Sequence, residues 1–299
     1  MKQRQFSTIM KFLGKTSSPE ISAEQKRREK RMARFYAGKL KKSGVTALCL
    51  GGGGTRGFAH IGAIKAFEEN GIDFDIIVGT SAGSIIGCLY AYGISAQRML
   101  EYGAALNEKD IHNGNFLVPN DAGKIGRIVS DFIGDATIEQ VNAARGKKFA
   151  CVAVDLVTTK QIVLSSGRAA TAVSASSCVP LLYKPVVLGE LHLVDGGVLN
   201  NIPSDVCRLL GADKVVTIDV NPTRSSGTDK TNFISVFKAV FAMMGANSSI
   251  NGIIDSDVLV STDTSEFSSG KKEGFAEMYR RGYLSAKEKI PDIVDIMYK

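Results

Sequence analysis

GGGGTRGFAHIGAIKAFEENGIDFDIIVGTSAGS, residues 51–84, contains two glycine-marked turns separated by one helical and one strand-like stretch. The apolar run Val45–Leu50 before it reads as a buried strand, His60–Asn70 as a helix, Phe74–Val78 as a second strand and Gly83–Tyr92 as a second helix. Short apolar runs that alternate with helices through tight turns form a mostly parallel sheet covered on both faces. The pattern continues. Residues 95–147 read as mostly helical around a loop. Phe149–Asp155 and Gln161–Leu164 follow as strands, Ala169–Ser177 as a helix, and Val186–Val194 as a strand or hairpin. Then come helix Ser204–Leu210, strands Lys214–Val220 and Val258–Ser261, and a largely helical Phe275–Ile296. In such folds, sites form where strands end and helices begin. Three glycine turns meet that condition: 51–57, 79–83 and 195–197.

The first turn satisfies a dinucleotide fingerprint literally, as Gly52-x-Gly54-x-x-Gly57. That reading needs a ribose-binding acid at the carboxyl end of the second strand. Asp73 and Asp75 stand at its beginning, and its carboxyl end is Gly79-Thr80-Ser81. No GxxxxGK[ST] occurs either, so nucleotide binding is set aside. Without Cβ atoms, consecutive N–H groups at a helix start can converge on an anion, including the oxyanion of an attacked carbonyl. Gly53, Gly54 and the N–H of Arg56 are the candidates.

The second turn, Gly79-Thr80-Ser81-Ala82-Gly83, is G-x-S-x-G between strand and helix, a setting that lifts a serine onto a sharp turn. A serine nucleophile needs a base. The chain has three histidines, His60, His112 and His192, and none follows Asp195. His60 falls in an apolar helix and His192 alternates along a strand, which leaves His112 as the histidine candidate. Asp195-Gly196-Gly197 offers another base. A carboxylate in a dry site has a raised pKa and gains basicity.

Bulk properties narrow the class. Five scattered cysteines without a CxxC argue against a disulfide framework or zinc site and fit buried thiols in a reducing compartment. Residues 1–42 carry 13 Lys/Arg and 3 Glu, whereas the rest of the chain is slightly acidic. This arm shows helical spacing at Phe6, Ile9, Met10 and Leu13 and again at Met32, Phe35, Tyr36 and Leu40. Basic amphipathic helices bind anionic membrane surfaces. The alternative is a solvated leader or a helix packed on the body, and nothing supports a nucleic-acid partner. No secretory leader is expected, which places the protein in the cytoplasm or at the inner face of a membrane. Ile76–Gln97 is free of charge for 22 residues, but its glycines and serines and its change of period make it a strand–turn–helix rather than a membrane span. Phe233–Met244 reads as an apolar helix, either a buried cover or a wall for an acyl chain. TRSSGTDKTN, 223–232, reads as a loop.

The three turns, in this order, resemble those of the patatin-like phospholipases, in particular small bacterial members related to neuropathy target esterase. GGGGTRGFAHIG resembles the family's oxyanion motif, GTSAG its nucleophile elbow, and DGGVLNNIP its catalytic-aspartate motif. SASSCVPLLYKP (174–185) and LGADKVVTIDV (210–220) also fit, so the resemblance covers roughly residues 45–220. Gly51 stands where many members have an aspartate.

The resemblance implies a three-layer α/β/α patatin-like fold with a mostly parallel sheet; that domain is expected over 44–299 after the basic arm 1–43, and the arm and the tail beyond about 225 match no family motif. It also implies hydrolysis of lipid acyl esters by a Ser81–Asp195 dyad, without metal or cofactor. Gly53, Gly54 and Arg56 become oxyanion donors, with Gly52, Gly57, Gly79, Gly83, Gly196 and Gly197 as supporting glycines. Two alternatives stay open at this point: acyl transfer to another acceptor through the same dyad, and a non-catalytic lipid-binding module.

Overall fold

A computed structural model of the chain describes residues 23–106, 119–221 and 232–299. The first amphipathic pattern, His112 and nearly all of the 223–232 stretch lie outside the described residues. The chain divides into two units. In the smaller one, helix α1 (Ala23–Tyr36) buries none of its residues fully; its basic side chains are exposed except for Arg31, which donates to the Tyr298 carbonyl. Leu40, assigned to the same helical stripe, lies beyond the helix end. Phe35 packs its ring edge against Tyr298 at 4.8 Å, and Lys41 and Lys299 exchange two backbone hydrogen bonds of 2.8 Å.

The larger unit, Ser43–Met297, carries the sheet. Its strands are β1 (Thr46–Leu50), β2 (Ile76–Thr80), β3 (Lys148–Asp155), β4 (Lys160–Leu164), β5 (Val186–Leu188), β6 (Leu191–Asp195), β7 (Lys214–Asp219) and β8 (Val258–Ser261). Strands β3-β2-β1-β7-β8 run parallel, while β4 and β6 pair antiparallel with β3 and β5 pairs antiparallel with β6. β1 and β2 are buried at every residue, as befits parallel strands covered on both faces. Alternate residues face opposite layers. Ala47, Cys49, Ile76 and Val78 share a core with Ile202, Val206 and Cys207, the last two on helix α8 (Ser204–Leu209). On the other face, Leu50, Ile77 and Phe149 close around Gly87 of helix α3 (Ala82–Tyr92). Helix α2 (Phe58–Asn70) packs along helix α10 (Phe275–Met297). Helices α4 (Ala96–Ala105), α5 (Gly123–Ile133), α6 (Ile138–Arg145) and α7 (Ala169–Ser176) complete the region between β2 and β5. All five cysteines are buried and unpaired.

The apolar run at 233–244 is part of a longer helix, α9 (Phe233–Ile254). Its second half carries the packing: Ser249 is buried, and Gly252 lies so close to the Ile202 carbonyl that a Cβ there would sit 1.9 Å from the oxygen. The first half projects, with Phe233 75% and Met243 61% exposed, so a fully buried covering helix is not what forms. Among the described residues, no helix is long and apolar enough to cross a membrane.

Strand register decides where the site lies. Residues 151 and 152 of β3 pair with both β2 and β4, so those two strands take opposite edges of β3. Residues 153–155 pair with both β4 and β6, so β6 shares the β2 edge. β2 stops at Thr80 opposite Val152, and β6 arrives from the other direction and stops at Asp195 opposite Ala153. The two strands meet end to end. Whatever follows Thr80 is thereby placed beside Asp195.

Candidate active site

Ser81 follows Thr80 and opens α3 with φ 53° and ψ −124°, left-handed backbone that a serine adopts only under constraint. The constraint is visible. The Ser81 N–H donates to the Ser176 carbonyl at 3.2 Å and to Ser176 Oγ at 3.1 Å. Its carbonyl accepts from Ser84 N at 2.8 Å, Ile85 N at 3.3 Å and Ser84 Oγ at 2.6 Å. Ser84 is thus a first-turn brace. Gly83 lets α3 start against the sheet, since a Cβ there would lie 2.1 Å from the Leu50 carbonyl oxygen. Gly79 faces the Gly83 carbonyl just as closely.

Asp195 ends β6 with only 1% of its surface exposed. Oδ1 accepts from Gly197 N–H at 2.7 Å, whereas Oδ2 has no hydrogen-bond partner among the described residues. Burial pushes the carboxyl up to about 6 from 3.8, against the opposing pull of the Ser81 hydroxyl and the Gly197 N–H. The Ser81 hydroxyl acts electrostatically on this carboxyl without a formed hydrogen bond to Oδ2. Catalytic hydrogen bonds are often loose before substrate arrives. Gly196 fits against the Val152 carbonyl and the Thr80 side chain, where the two strand ends meet.

The glycine turn comes off β1 beside them. A Cβ on Gly52 would lie 3.3 Å from Ser81 Cβ, and one on Gly57 would lie 3.1 Å from Ala82 Cβ. Gly54 has φ +60°, and a Cβ there would sit 2.1 Å from the Ser269 carbonyl oxygen. The Gly51 N–H bonds the Ile218 carbonyl and the Gly52 N–H bonds the Asn201 carbonyl, each at 3.1 Å. The N–H groups of Gly53 and Gly54 have no partner among the described residues. Arg56 differs from the expectation. Its N–H is engaged by the Gly53 carbonyl at 3.2 Å, because residues 54–57 form a tight 3₁₀ turn. Its guanidinium is held by the Phe267 carbonyl at 2.7 and 3.0 Å and by Asn221 Oδ1 at 2.6 Å.

The other titratable candidates sort themselves out. His60 is wholly buried on α2. Desolvation lowers its pKa to about 4, so it stays neutral and donates Nε2–H to the Gly51 carbonyl at 2.7 Å. His192 is exposed on β6, in register with Val187. Asp75 accepts from Thr46 N at 2.8 Å, and Asp73 pairs with Lys147, both at the amino end of the sheet. Neither acid is available to a ribose at the other end.

Two residues outside the sequence reading join this site. Asn201 accepts the Gly52 N–H on its carbonyl and donates its own N–H to Ser248 Oγ at 3.2 Å and its side-chain amide to Ser249 Oγ at 3.1 Å. Ser248 in turn donates to the Gly197 carbonyl at 3.0 Å, so α9 clamps both glycine turns. The Phe241 ring of α9 reaches the Gly197 turn. The second residue is Asn221, just past β7. The pair NN inside DGGVLNNIP was a signal for Asn201. Asn221 lies some 170 positions from the glycine run, and its placement needs the strand order.

A mixed sheet flanked by helices, with a constrained serine and a buried aspartate meeting at strand ends, is the patatin fold. A model of the patatin-like phospholipases matches residues 48–208, and the chain belongs to that family. An uncharacterized NTE family protein of Mycobacterium tuberculosis is 34% identical over 180 residues, covering 59% of this chain and 30% of the relative. Lysophospholipase nte1 of Aspergillus fumigatus is 33% identical over 222 residues, covering 69% of this chain and 14% of the relative. Patatin-like phospholipase domain-containing protein 6 of Mus musculus is 33% identical over 206 residues, with coverages of 64% and 14%. The chain thus spans less than a third of the length of these relatives. Among solved structures, VipD from Legionella pneumophila aligns with a TM-score of 0.56 at 14% identity, covering 87% of this chain and 70% of that one. Human GIVD cytosolic phospholipase A2 aligns at 0.52 and 11% identity, with coverages of 92% and 64%. At these identities the likeness is one of fold.

Proposed function

We propose that the chain is a serine esterase that hydrolyses acyl esters of lipids, of the phospholipase or lysophospholipase type. One observation carries this: a constrained serine beside a buried carboxylate with one unpartnered oxygen, with two glycine N–H groups at the same strand ends that have no partner among the described residues. Above pH about 6 the Asp195 carboxylate is ionised. It takes the Ser81 hydroxyl proton as Oγ attacks the ester carbonyl. The carbonyl electron pair moves onto oxygen, where the Gly53 and Gly54 N–H groups stabilise it. Collapse expels the alcohol, which leaves with the proton from Asp195. Asp195 then deprotonates water, which attacks the acyl-serine; the fatty acid departs and the proton returns to Ser81. The family and the lysophospholipase relatives support lipid esters as the substrate class.

The test is product analysis. Purified protein with a lysophospholipid and chelator is expected to release free fatty acid, and added lipid alcohols are expected not to divert the acyl group. Appearance of an acylated acceptor in place of fatty acid would make it a transferase. No turnover of any ester would remove the reading.

Access to substrate in a bilayer follows from two surfaces. The basic helix α1 suits anionic headgroups. The outward stripe of α9, Phe233, Val236, Val240 and Met243, is exposed and apolar, while its inner side holds the Gly197 turn. Val240→Asp combined with Met243→Asp is expected to weaken sedimentation with phospholipid vesicles by at least about tenfold. Hydrolysis of a short, soluble nitrophenyl ester by the same variant should stay within about twofold of wild type, because neither residue belongs to the catalytic group. Unchanged vesicle binding would remove α9 from the membrane contact.

A further inference from the structure

The unpaired N–H groups of Gly53 and Gly54 can hold an oxyanion only if their peptide planes are fixed. A trans peptide is planar, so its N–H points opposite to the carbonyl of the preceding residue. No cis peptide bond occurs among the described residues. Where the Gly52 carbonyl is pinned decides where the Gly53 N–H points, and the Gly53 carbonyl does the same for Gly54. The Gly53 carbonyl is pinned locally by the Arg56 N–H. The Gly52 carbonyl is pinned from far away in sequence: Asn221 Nδ2 donates to it at 2.5 Å.

Asn221 is itself held by both its backbone and its side chain. Its backbone N–H donates to Asp219 Oδ1 at 2.8 Å, Asp219 being buried at the end of β7. Its Oδ1 accepts from Arg56 Nη1 at 2.6 Å. Its Nδ2 donates to the Gly52 carbonyl. Register explains the meeting: β7 runs parallel to β1 with Ile218 opposite Leu50, so residue 221 falls beside the glycine turn. The network also fixes the orientation of the side-chain amide, because only its NH₂ can donate to a carbonyl and only its oxygen can accept from a guanidinium. A carboxylate would satisfy Arg56 but not Gly52.

We infer that Asn221 is the positioning residue of the oxyanion site: it locks the Gly52–Gly53 peptide so that the Gly53 N–H faces the carbonyl attacked by Ser81, and Arg56 serves as its anchor. This rests on the esterase reading above. Arg56 then contributes through its backbone N–H and its guanidinium to the pose of two peptides, without itself donating to the oxyanion.

Asn221→Asp tests this, since it keeps shape and the Arg56 contact and removes the donor to Gly52; because it also adds a negative charge near the oxyanion, the neutral Asn221→Ser is assayed beside it. On a nitrophenyl ester, kcat is expected to fall about 10- to 100-fold, a fraction of the effect of deleting an oxyanion donor outright, with KM changed less than about threefold. A trifluoromethyl ketone that forms a tetrahedral adduct on serine should lose affinity in parallel with kcat/KM. Asn221→Ser is the second variant should the aspartate not fold, and it is expected to show the same parallel loss. Wild-type kcat in either folded variant overturns the inference. So does a fall in kcat with undiminished inhibitor affinity, because the loss would then not pass through the oxyanion. Failure of the esterase reading itself is distinguishable, since wild type would then be inert toward both ester and inhibitor.

Discussion

Replacing Ser81 with alanine is expected to lower kcat/KM toward a lysophospholipid by at least about 10³-fold and to abolish covalent labelling by a fluorophosphonate. Among the described residues, the hydroxyls next to Ser81 are already engaged. Ser84 Oγ is committed to the Ser81 carbonyl at 2.6 Å and approaches Ser177 Oγ at 3.4 Å, and Ser176 Oγ accepts the Ser81 N–H. The fold should be unaffected, because the Ser81 backbone and not its hydroxyl makes the bonds that build the turn.

Ser81→Gly separates strain from chemistry. A serine at φ 53° stores conformational energy that glycine does not. The glycine variant is therefore expected to be as inactive as the alanine variant. At the same time it should be more stable than the alanine variant by about 1 kcal/mol in denaturant titrations. Residual activity in Ser81→Ala above about one percent of wild type would mean that the nucleophile lies elsewhere.

The readability of this site from sequence followed the range of the interactions. Ser81, the glycines around it and the Asp195 turn are local: a strand ends, a glycine permits a close approach, and a chemically useful side chain follows. Element boundaries came out within a few residues for the same reason, as with β8 at Val258–Ser261 and α2 ending at Asn70. What escaped is not local. That β2 and β6 abut along one edge of β3 depends on β3 being long enough to pair with both, which no spacing in the sequence encodes. Asn221 reaches Gly52 only because β7 is the neighbour of β1. Arg56 was read as a donor from its position in the turn. Its actual bonds depend on the 3₁₀ geometry and on Phe267, more than 200 residues away. The apolar composition of 233–244 left a buried cover and an acyl-chain wall both open. Burial depends on what packs against a helix, and packing occurs on the second half of α9.

Replacing Asp195 with asparagine is expected to do two opposite things, and the pair of effects is more discriminating than either alone. Activity should fall by at least about 10³-fold, since an amide cannot take the serine proton. In wild type, kcat/KM should rise with pH through an apparent pKa near 6 and then level off, because the carboxyl must be ionised to act as base. Stability should move the other way. The folded pKa of about 6 lies above the ordinary value of 3.8, so well below 3.8 the carboxyl is neutral in both states and carries no penalty. As pH rises to 6 and beyond, the unfolded chain has released the proton and the folded chain must hold a buried charge. That penalty amounts to roughly 3 kcal/mol at neutral pH. An asparagine has nothing to ionise and can still accept the Gly197 N–H. Asp195→Asn is therefore expected to be more stable than wild type at pH 8, by up to about 3 kcal/mol, with the difference shrinking toward zero near pH 4. Denaturant unfolding at the two pH values measures it. A variant equally stable at both would mean that Asp195 bears no buried charge and cannot be the base; His112→Ala would then be the next variant to assay. An inactive variant that is stabilised only at high pH would tie the same carboxylate to both the cost of the fold and the chemistry of the site.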